Sequence, residues 1–474
     1  MKTVHLMGIG GSAMASLAGM FVEKGWKVRG SDTNVYPPAS LELARLGVEV
    51  REGFRPENLE PRPDLVVVGN VISRGNSEVE ALLKTDIPFT SMVHALRDHF
   101  LTGRKSVVVC GTHGKTTTTS LLAWVLDQAG FDPGLFVGGI PIDYGRGFKL
   151  GKNGPFVVEG DEYNTAFFEK TPKFLHYKPD SAIVTSIEFD HADIYRDLPH
   201  VVEQFEKLVS ILPSEGTLVA CGESQTVRNV CSRAKVADLR WYGPSAHNDW
   251  RPMNFQIAPD GTKFDLVVRG KTLTQIHLPL FGRYNVGNAV AVLAMAEALG
   301  VAPDVAKKAI ATFKGVRRRQ EFLGESRGVK IYDDFAHHPT AIAETLAAFT
   351  PLAKASKGKL WAIFEPRSNT VRRRVFQKIL PESFLLADEV ILAPVYQKKD
   401  ALGSEQLLQP KEVAESICGR GGKAQAAASN DEIVERLGRE VQPGDVVVFM
   451  SNGSFGGIPR QVLEKIKAKA SGAP

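Results

Sequence analysis

Short apolar runs alternate along the chain with longer stretches whose apolar residues recur at helical spacing. Over residues 1–99, TVHLMG reads as a strand, 12–24 as a helix, WKVRGSD as a second strand, 39–46 as a helix and DLVVVGN as another strand. Strands joined by crossover helices predict a parallel sheet with helices on its faces. A fresh strand follows LTGRKS and places a boundary near 100–104. The next stretch opens with VVVCGTHGKTTTTS at 107–120, runs through PFVVEGDEYN and SAIVTSIEFDH, and reaches a long helix starting near Asn285. The small, alanine-rich YNVGNAVAVLAMAEALG suits a helix lying close on a sheet. Further strands are expected at GVKIYDDF, LWAIFEP, EVILAPV and DVVVFMSNGSFGG, with GRGGKAQAAASN at 419–430 as an exposed connection. The expected organisation is three α/β segments, 1–103, 104–313 and 314–474.

Composition narrows the class. A chain of 474 residues exceeds one ordinary hydrophobic core. Its 43% apolar and 23% charged content fits a soluble globular protein. The formal net charge of +5 is small for this length, and the arginine clusters at 317–319 and 372–374 are short and far apart, so no nucleic-acid partner is expected. Cys110, Cys221, Cys231 and Cys418 lack CxxC spacing and disulfide density, which points to a reducing compartment. MKTVHLMGIGG begins like a secretion signal, but glycines follow and no processing site is evident. No run approaches eighteen uncharged apolar residues, so no membrane insertion is expected and the cytoplasm is the default location.

The strongest chemical signal lies at 107–120. An apolar strand enters Gly111-Thr112-His113-Gly114, and a helical pattern starts at Lys115. Glycines let the backbone turn its N–H groups toward one point, and the helix start adds unpaired donors. Lys115 can reach β- and γ-phosphate oxygens, and Thr116 can place a hydroxyl on Mg²⁺. The spacing GxxGKT is shorter than the usual GxxxxGK[ST], so the strand–loop–helix context carries the reading. A plain capping turn explains neither a lysine at a helix start nor four consecutive threonines, Thr116 and Thr117 leading them. ATP and GTP stay equally open on these residues.

Carboxylates follow at strand ends. PFVVEGDEYN supplies Glu159, Asp161 and Glu162, of which Glu159 is the preferred Mg²⁺ ligand, against a helix-capping role. SAIVTSIEFDHAD supplies Glu188, Asp190, His191 and Asp193; a histidine ligand is unusual for Mg²⁺, and histidines often end strands for hydrogen bonding alone. Farther on come Arg317, Arg318 and Arg319, then Asp333, Asp334, His337 and His338. Arginine can neutralise a transferring phosphoryl group. The acids can hold a ribose or an arginine, and His337-His338-Pro339 also suits a helix start. Near the N-terminus, Gly8, Gly10 and Gly11 precede Ser12 and a helix, with Asp32 at the distance of a ribose-binding acid. A nicotinamide enzyme is one reading of that turn. Any pyrophosphate fits it equally, and a second, ATP-type loop argues against a pure dehydrogenase.

In order and spacing, HLMGIGGSAMASLA, GTHGKTTTT, EGDEYN, EFDHAD, YNVGNAVAVLA, GVRRRQEFLG, DDFAHHPTA and DVVVFMSNGSFGG resemble the Mur ligase family over nearly the whole chain. The resemblance implies an α/β architecture of three domains: a Rossmann-like UDP-sugar-binding domain, a central P-loop ATPase domain and a Rossmann-like C-terminal domain that closes with the incoming substrate. It implies ATP and Mg²⁺ as cofactors. The segments FVVEGDEYNTAFFEKTPKFLHYKPDSAIVTSIEFDHADIY and FEPRSNTVRRRVF are similar to the branch joining a murein tripeptide, L-alanyl-γ-D-glutamyl-meso-diaminopimelate, to UDP-N-acetylmuramate in peptidoglycan recycling. The alternative is the L-alanine-adding branch, which generally carries a serine-containing acidic motif in place of EGDEYNTAFF and a His-Arg-Tyr-type segment in place of EPRSNT. More distant alternatives are a nicotinamide oxidoreductase and a non-catalytic nucleotide-binding regulator. Nothing in the sequence indicates an oligomeric state.

By the same resemblance, Gly111, Thr112, His113, Gly114, Lys115, Thr116 and Thr117 hold the phosphates, and Thr116, Glu159 and His191 the metal. Asn288 contacts adenine, which favours ATP. Arg319 lies by the γ-phosphate and Asp334 holds ATP from the C-terminal domain. Lys115, His191 and Arg319 are the expected catalytic group. Gly10, Gly11, Ser12 and Asp32 are expected at the UDP-sugar, and His337, Arg367, Ser368 and Asn369 at the substrates. Lys207 lies near the place where some relatives carry a carbamylated lysine, and its alignment is loose.

Overall fold

A computed structural model describes residues 1–190, 194–397 and 403–470. Among the described residues, three large sheets follow one another along the chain, with a two-stranded hairpin, Asn164–Ala166/Glu169–Pro172, beside the central one. In the first, the strands run Glu49–Glu52, Lys27–Asp32, Thr3–Met7, Leu65–Val68, Phe89–Ser91 across the sheet, all parallel. The helix Ser12–Glu23 buries Met14 through Phe21 against it. Gly30 has no room for a side chain, because a Cβ there would lie 2.5 Å from the Leu6 carbonyl.

The central sheet has ten strands. Its middle is parallel: Asp238–Tyr242, Thr217–Cys221, Ser181–Val184, Ser106–Cys110, Phe156–Gly160 and Gly134–Phe136. Val107, Val108, Val109 and Cys110 are fully buried, as a strand covered on both faces requires. Beyond Asp238–Tyr242, the strands Trp250–Ala258, Gly261–Val268 and Lys271–Leu278 extend the sheet, the last three pairing antiparallel with one another. The reading of the sequence did not anticipate that extension. The helix Arg283–Ala298 begins just ahead of the expected Asn285 and is buried along most of its length.

The third sheet runs Glu321–Ser326, Val329–Asp334, Val446–Met450, Leu360–Phe364, Glu389–Leu392, Ala424–Ala426. Only Glu321–Ser326 is antiparallel. The 419–430 stretch, expected to be a connection, contributes the edge strand Ala424–Ala426, paired with Glu389–Leu392. Three residues are too short to show a period of two. Pairing from the neighbouring strand supplies what local pattern cannot.

Candidate active site

The strand Ser106–Cys110 delivers the chain into the glycine loop at its C-terminal end, and the helix Lys115–Gln128 leaves it. Gly111 and Gly114 take φ of +133° and +80°. A Cβ on Gly111 would lie 2.2 Å from Thr185 Oγ1, and one on Gly114 2.6 Å from Asn288 Oδ1. Both positions therefore demand glycine on sterics as well as dihedral. The neighbouring strand end locks the loop. Thr112 N donates to the Ser186 carbonyl at 3.0 Å, His113 N donates to Ser186 Oγ at 2.9 Å, and Glu188 N donates to Thr112 Oγ1 at 2.8 Å. Thr117 is buried in the first turn of the helix.

Lys115 folds back over this loop. Its Nζ donates to the Gly111 carbonyl at 2.7 Å and to Glu162 at 2.8 Å. Burial alone would lower the ammonium's pKa, but Glu162, Asp161 and Glu159 raise it above the usual lysine value. A buried carboxylate thus holds the ammonium charged at the loop. Glu162, one of three acids in its segment, is the one that pairs with Lys115; no local spacing singles it out.

Thr116 Oγ1 donates to Glu159 Oε1 at 2.6 Å, and Glu159 Oε2 accepts from Gly138 N at 2.6 Å. Glu159 lies within its strand, one residue before the end, rather than capping a helix. Burial first, and then Asp161, pushes its carboxyl above the ordinary range against the opposing pull of Thr116, Gly138 and Lys115. A buried carboxylate with too little counter-charge, beside a hydroxyl oxygen, fits a hard, oxygen-seeking cation such as Mg²⁺. The third expected ligand, His191, lies outside the described residues.

Residues beyond 313 enter this centre. Arg319 Nη2 lies 3.3 Å from Thr116 Oγ1, and its guanidinium stacks on Phe335, 4.3 Å from the ring centre. Asp334 is buried and accepts from Gln320 N and Ala336 N, each at 2.8 Å. In this conformation Asp334 fastens the turn that presents Arg319. Gln320, with φ of +50°, bonds the Phe281 backbone in both directions and donates to Tyr284 Oη at 2.7 Å. The sequence reading did not select Gln320. A second tie joins Thr340, which donates to Glu188 Oε2 at 2.8 Å. His338 caps the helix Pro339–Ala355 and lies 4.8 Å, ring to ring, from His113. Burial would raise the Glu188 carboxyl, but His113, Thr340 and His338 together pull it down to about 2.

Asn288 is buried behind Gly114 and donates to Asn285 Oδ1 at 3.3 Å. Gly10 N donates to Asp32 Oδ2 at 2.8 Å, so the acid braces the N-terminal glycine turn. Gly11 and Ser12 are exposed at the start of the helix Ser12–Glu23. The half-buried His337 sits 2.9 Å from the Phe335 carbonyl through Nδ1. Arg367 stacks on Tyr396 at 3.7 Å and lies 3.6 Å from Glu365. Ser368 Oγ accepts from Val371 N at 3.1 Å, and Asn369 is exposed on the same turn. Lys207 is exposed on the helix Leu198–Ser210 and donates to Gln204 Oε1 at 3.2 Å. Among the described residues, no helix is long and apolar enough to cross a membrane.

Known proteins share this architecture. Residues 3–103 match the Mur ligase family catalytic domain, 109–296 the Mur ligase middle domain and 318–453 the Mur ligase glutamate ligase domain. The UDP-N-acetylmuramate–L-alanyl-γ-D-glutamyl-meso-2,6-diaminoheptandioate ligase of Escherichia coli K12 is 37% identical over 471 residues, 99% of each chain. A UDP-N-acetylmuramate–L-alanine ligase from Alkaliphilus metalliredigens QYMF is 32% identical, covering 98% of this chain and 97% of its own. The crystal structure of a murein peptide ligase from Psychrobacter arcticus 273-4 superposes with a TM-score of 0.71 at 34% identity, covering 98% of this chain and 99% of that one. Three α/β domains of this kind define an ATP-dependent enzyme that joins an acid to an amine. The chain belongs to the Mur ligase family.

Proposed function

We propose that the protein joins L-alanyl-γ-D-glutamyl-meso-diaminopimelate to the lactyl carboxylate of UDP-N-acetylmuramate, with ATP as the phosphoryl donor, in peptidoglycan recycling. The observation that carries the reading is the approach of Arg319 to Thr116, two residues from different domains meeting at one glycine–lysine loop. The choice of acceptor is supported by 37% identity across 99% of both chains with the tripeptide-joining relative.

A lactyl oxygen attacks the γ-phosphorus, the bond to the β–γ bridging oxygen breaks, and ADP leaves. The alanyl amine of the tripeptide then adds to the acyl phosphate carbonyl. Inorganic phosphate departs with the lactyl oxygen, and the amine loses its proton. A carboxylate is a poor acyl donor, and phosphorylation converts its oxygen into a leaving group. Lys115 and Arg319 offset the charge of two anions that repel each other and hold them in line. Thr116 and Glu159, with His191 by the family resemblance, would hold Mg²⁺, which would supply charge compensation for the phosphoryl oxygens. The Thr340–Glu188 tie keeps the domains together over the site, which limits hydrolysis of the acyl phosphate. Gly10, Gly11, Ser12 and Asp32 receive the UDP-sugar. The paired donors of Arg367 suit a peptide carboxylate, and Ser368, Asn369 and His337 are the further substrate-binding residues of this reading.

The test is mass detection of products from UDP-N-acetylmuramate, ATP and Mg²⁺ with tripeptide and free L-alanine in competition. The reading predicts the UDP-tripeptide adduct. The L-alanine adduct as sole product would contradict it, as would ATP binding without amide formation.

A further inference from the structure

A second group of metal-binding side chains lies away from the phosphate loop, at the junction of the first and central domains. His94 stands in the helix Met92–Leu96 that follows the last strand of the first sheet. Glu169 opens the second strand of the hairpin Asn164–Ala166/Glu169–Pro172, and His176 lies in the turn Lys173–Tyr177 after it. One donor atom from each of the three residues lies within 4.8 Å of the others.

Both contacts of His94 Nε2 have the length found between two ligands of one coordination shell. His94 Nε2 lies 3.2 Å from His176 Nδ1 and 3.4 Å from Glu169 Oε2. Donors about 2.0–2.1 Å from a tetrahedral metal stand about 3.3 Å apart. Glu169 Oε2 is a buried oxygen with no hydrogen-bond partner, and it faces His94. The far nitrogen of His176, Nε2, is 2.7 Å from Thr171 Oγ1. With Nε2–H donating to that hydroxyl, the lone pair of Nδ1 is left facing His94, while Nε2 itself lies 3.5 Å from Glu169 Oε1. Metal-ligating histidines are habitually oriented by a partner of this kind on the second nitrogen.

We infer that His94, Glu169 and His176 form a binding site for a borderline transition-metal dication of the Zn²⁺ type, distinct from the Mg²⁺ site at the loop. Two imidazoles and one carboxylate select such an ion over Mg²⁺, which demands oxygen. Three protein ligands leave the fourth position to water. The ion would fasten the helix Met92–Leu96 of the first domain to the hairpin of the central domain, beside the Phe89–Phe168 ring contact at 5.7 Å. A plain imidazole–imidazole hydrogen bond is the competing account of the same 3.2 Å contact.

The full-length protein, stripped with EDTA, is titrated with Zn²⁺ by calorimetry in excess Mg²⁺ without nucleotide. In parallel, Co²⁺ is added and its visible spectrum recorded. The expected results are one Zn²⁺ lost on His94→Gln, Glu169→Gln or His176→Gln, and retained on His113→Gln. Intense tetrahedral Co²⁺ bands should appear in the unaltered protein. Thr171→Val should weaken Zn²⁺ binding about tenfold, the effect of removing a supporting partner. Zn²⁺ uptake equal in the unaltered protein and the His94→Gln/His176→Gln double variant would overturn the inference. So would Co²⁺ spectra of purely octahedral intensity, a readout that needs no variant to fold.

Discussion

Arg319 Nη2 lies 3.3 Å from Thr116 Oγ1 across 203 residues of sequence. The arginine arrives from the third domain on a turn braced by Asp334 and Gln320, and the threonine lies in the first turn of the helix after the glycine loop. In the proposed reaction, a cation supplied by one domain to the loop of another compensates phosphoryl charge only while the two domains are in contact. Arg319→Ala should therefore lower kcat by about 10²–10³-fold, the usual cost of removing one transition-state donor. ATP affinity should change less. Arg319→Lys should recover little, because a point charge does not reproduce the guanidinium fork stacked on Phe335. Steady-state kinetics beside nucleotide titration reads both effects.

Lys115 carries a structural duty as well. Its ammonium pairs with Glu162 at 2.8 Å, with side chains 12% and 4% exposed. Lys115→Met should abolish ATP-dependent turnover and also destabilise the protein by about 3–5 kcal/mol, because a buried carboxylate loses its partner. Adding Glu162→Gln should restore much of the stability and none of the activity. Denaturant unfolding and turnover, measured on the two variants, separate the roles.

Asp333 gives a pH dependence with a definite sign. Burial raises its carboxyl from 3.8 to about 7, with Asp334 and Glu321 adding to the rise and Arg318, 3.4 Å away, opposing it. The folded state holds this proton more tightly than the unfolded chain. Its contribution to stability is therefore full below pH 3.8 and is lost as pH rises toward about 7. Asp333→Asn should gain stability relative to the parent across that interval and hold a constant difference above it. Urea unfolding at a series of pH values shows this as a change of slope.

Local features of this protein were legible in its sequence where one short segment contains the whole reason. Gly111, Gly114 and Lys115 declare a strand–loop–helix because dihedral freedom, helix start and charge are local. Strands such as SVVVC and SAIV are continuous apolar runs because both faces are covered. The alternating strands between Trp250 and Leu278 were missed: half-exposed residues at irregular intervals blur their period. Glu162, Gln320 and the Thr340–Glu188 tie carry no local mark. Each takes its meaning from a partner tens to hundreds of residues away, set by how domains meet. His94 and His176 are similarly silent in sequence, 82 positions apart.

The central claim is that the sugar's carboxylate becomes an acyl phosphate before the peptide amine attacks. UDP-N-acetylmuramate labelled with oxygen-18 in the lactyl carboxylate, turned over with ATP, Mg²⁺ and tripeptide, tests it directly. The account predicts one labelled oxygen in each inorganic phosphate released, with label transfer reduced in step with turnover by Arg319→Ala. Unlabelled phosphate, with both labelled atoms absent from it while amide accumulates, would contradict it.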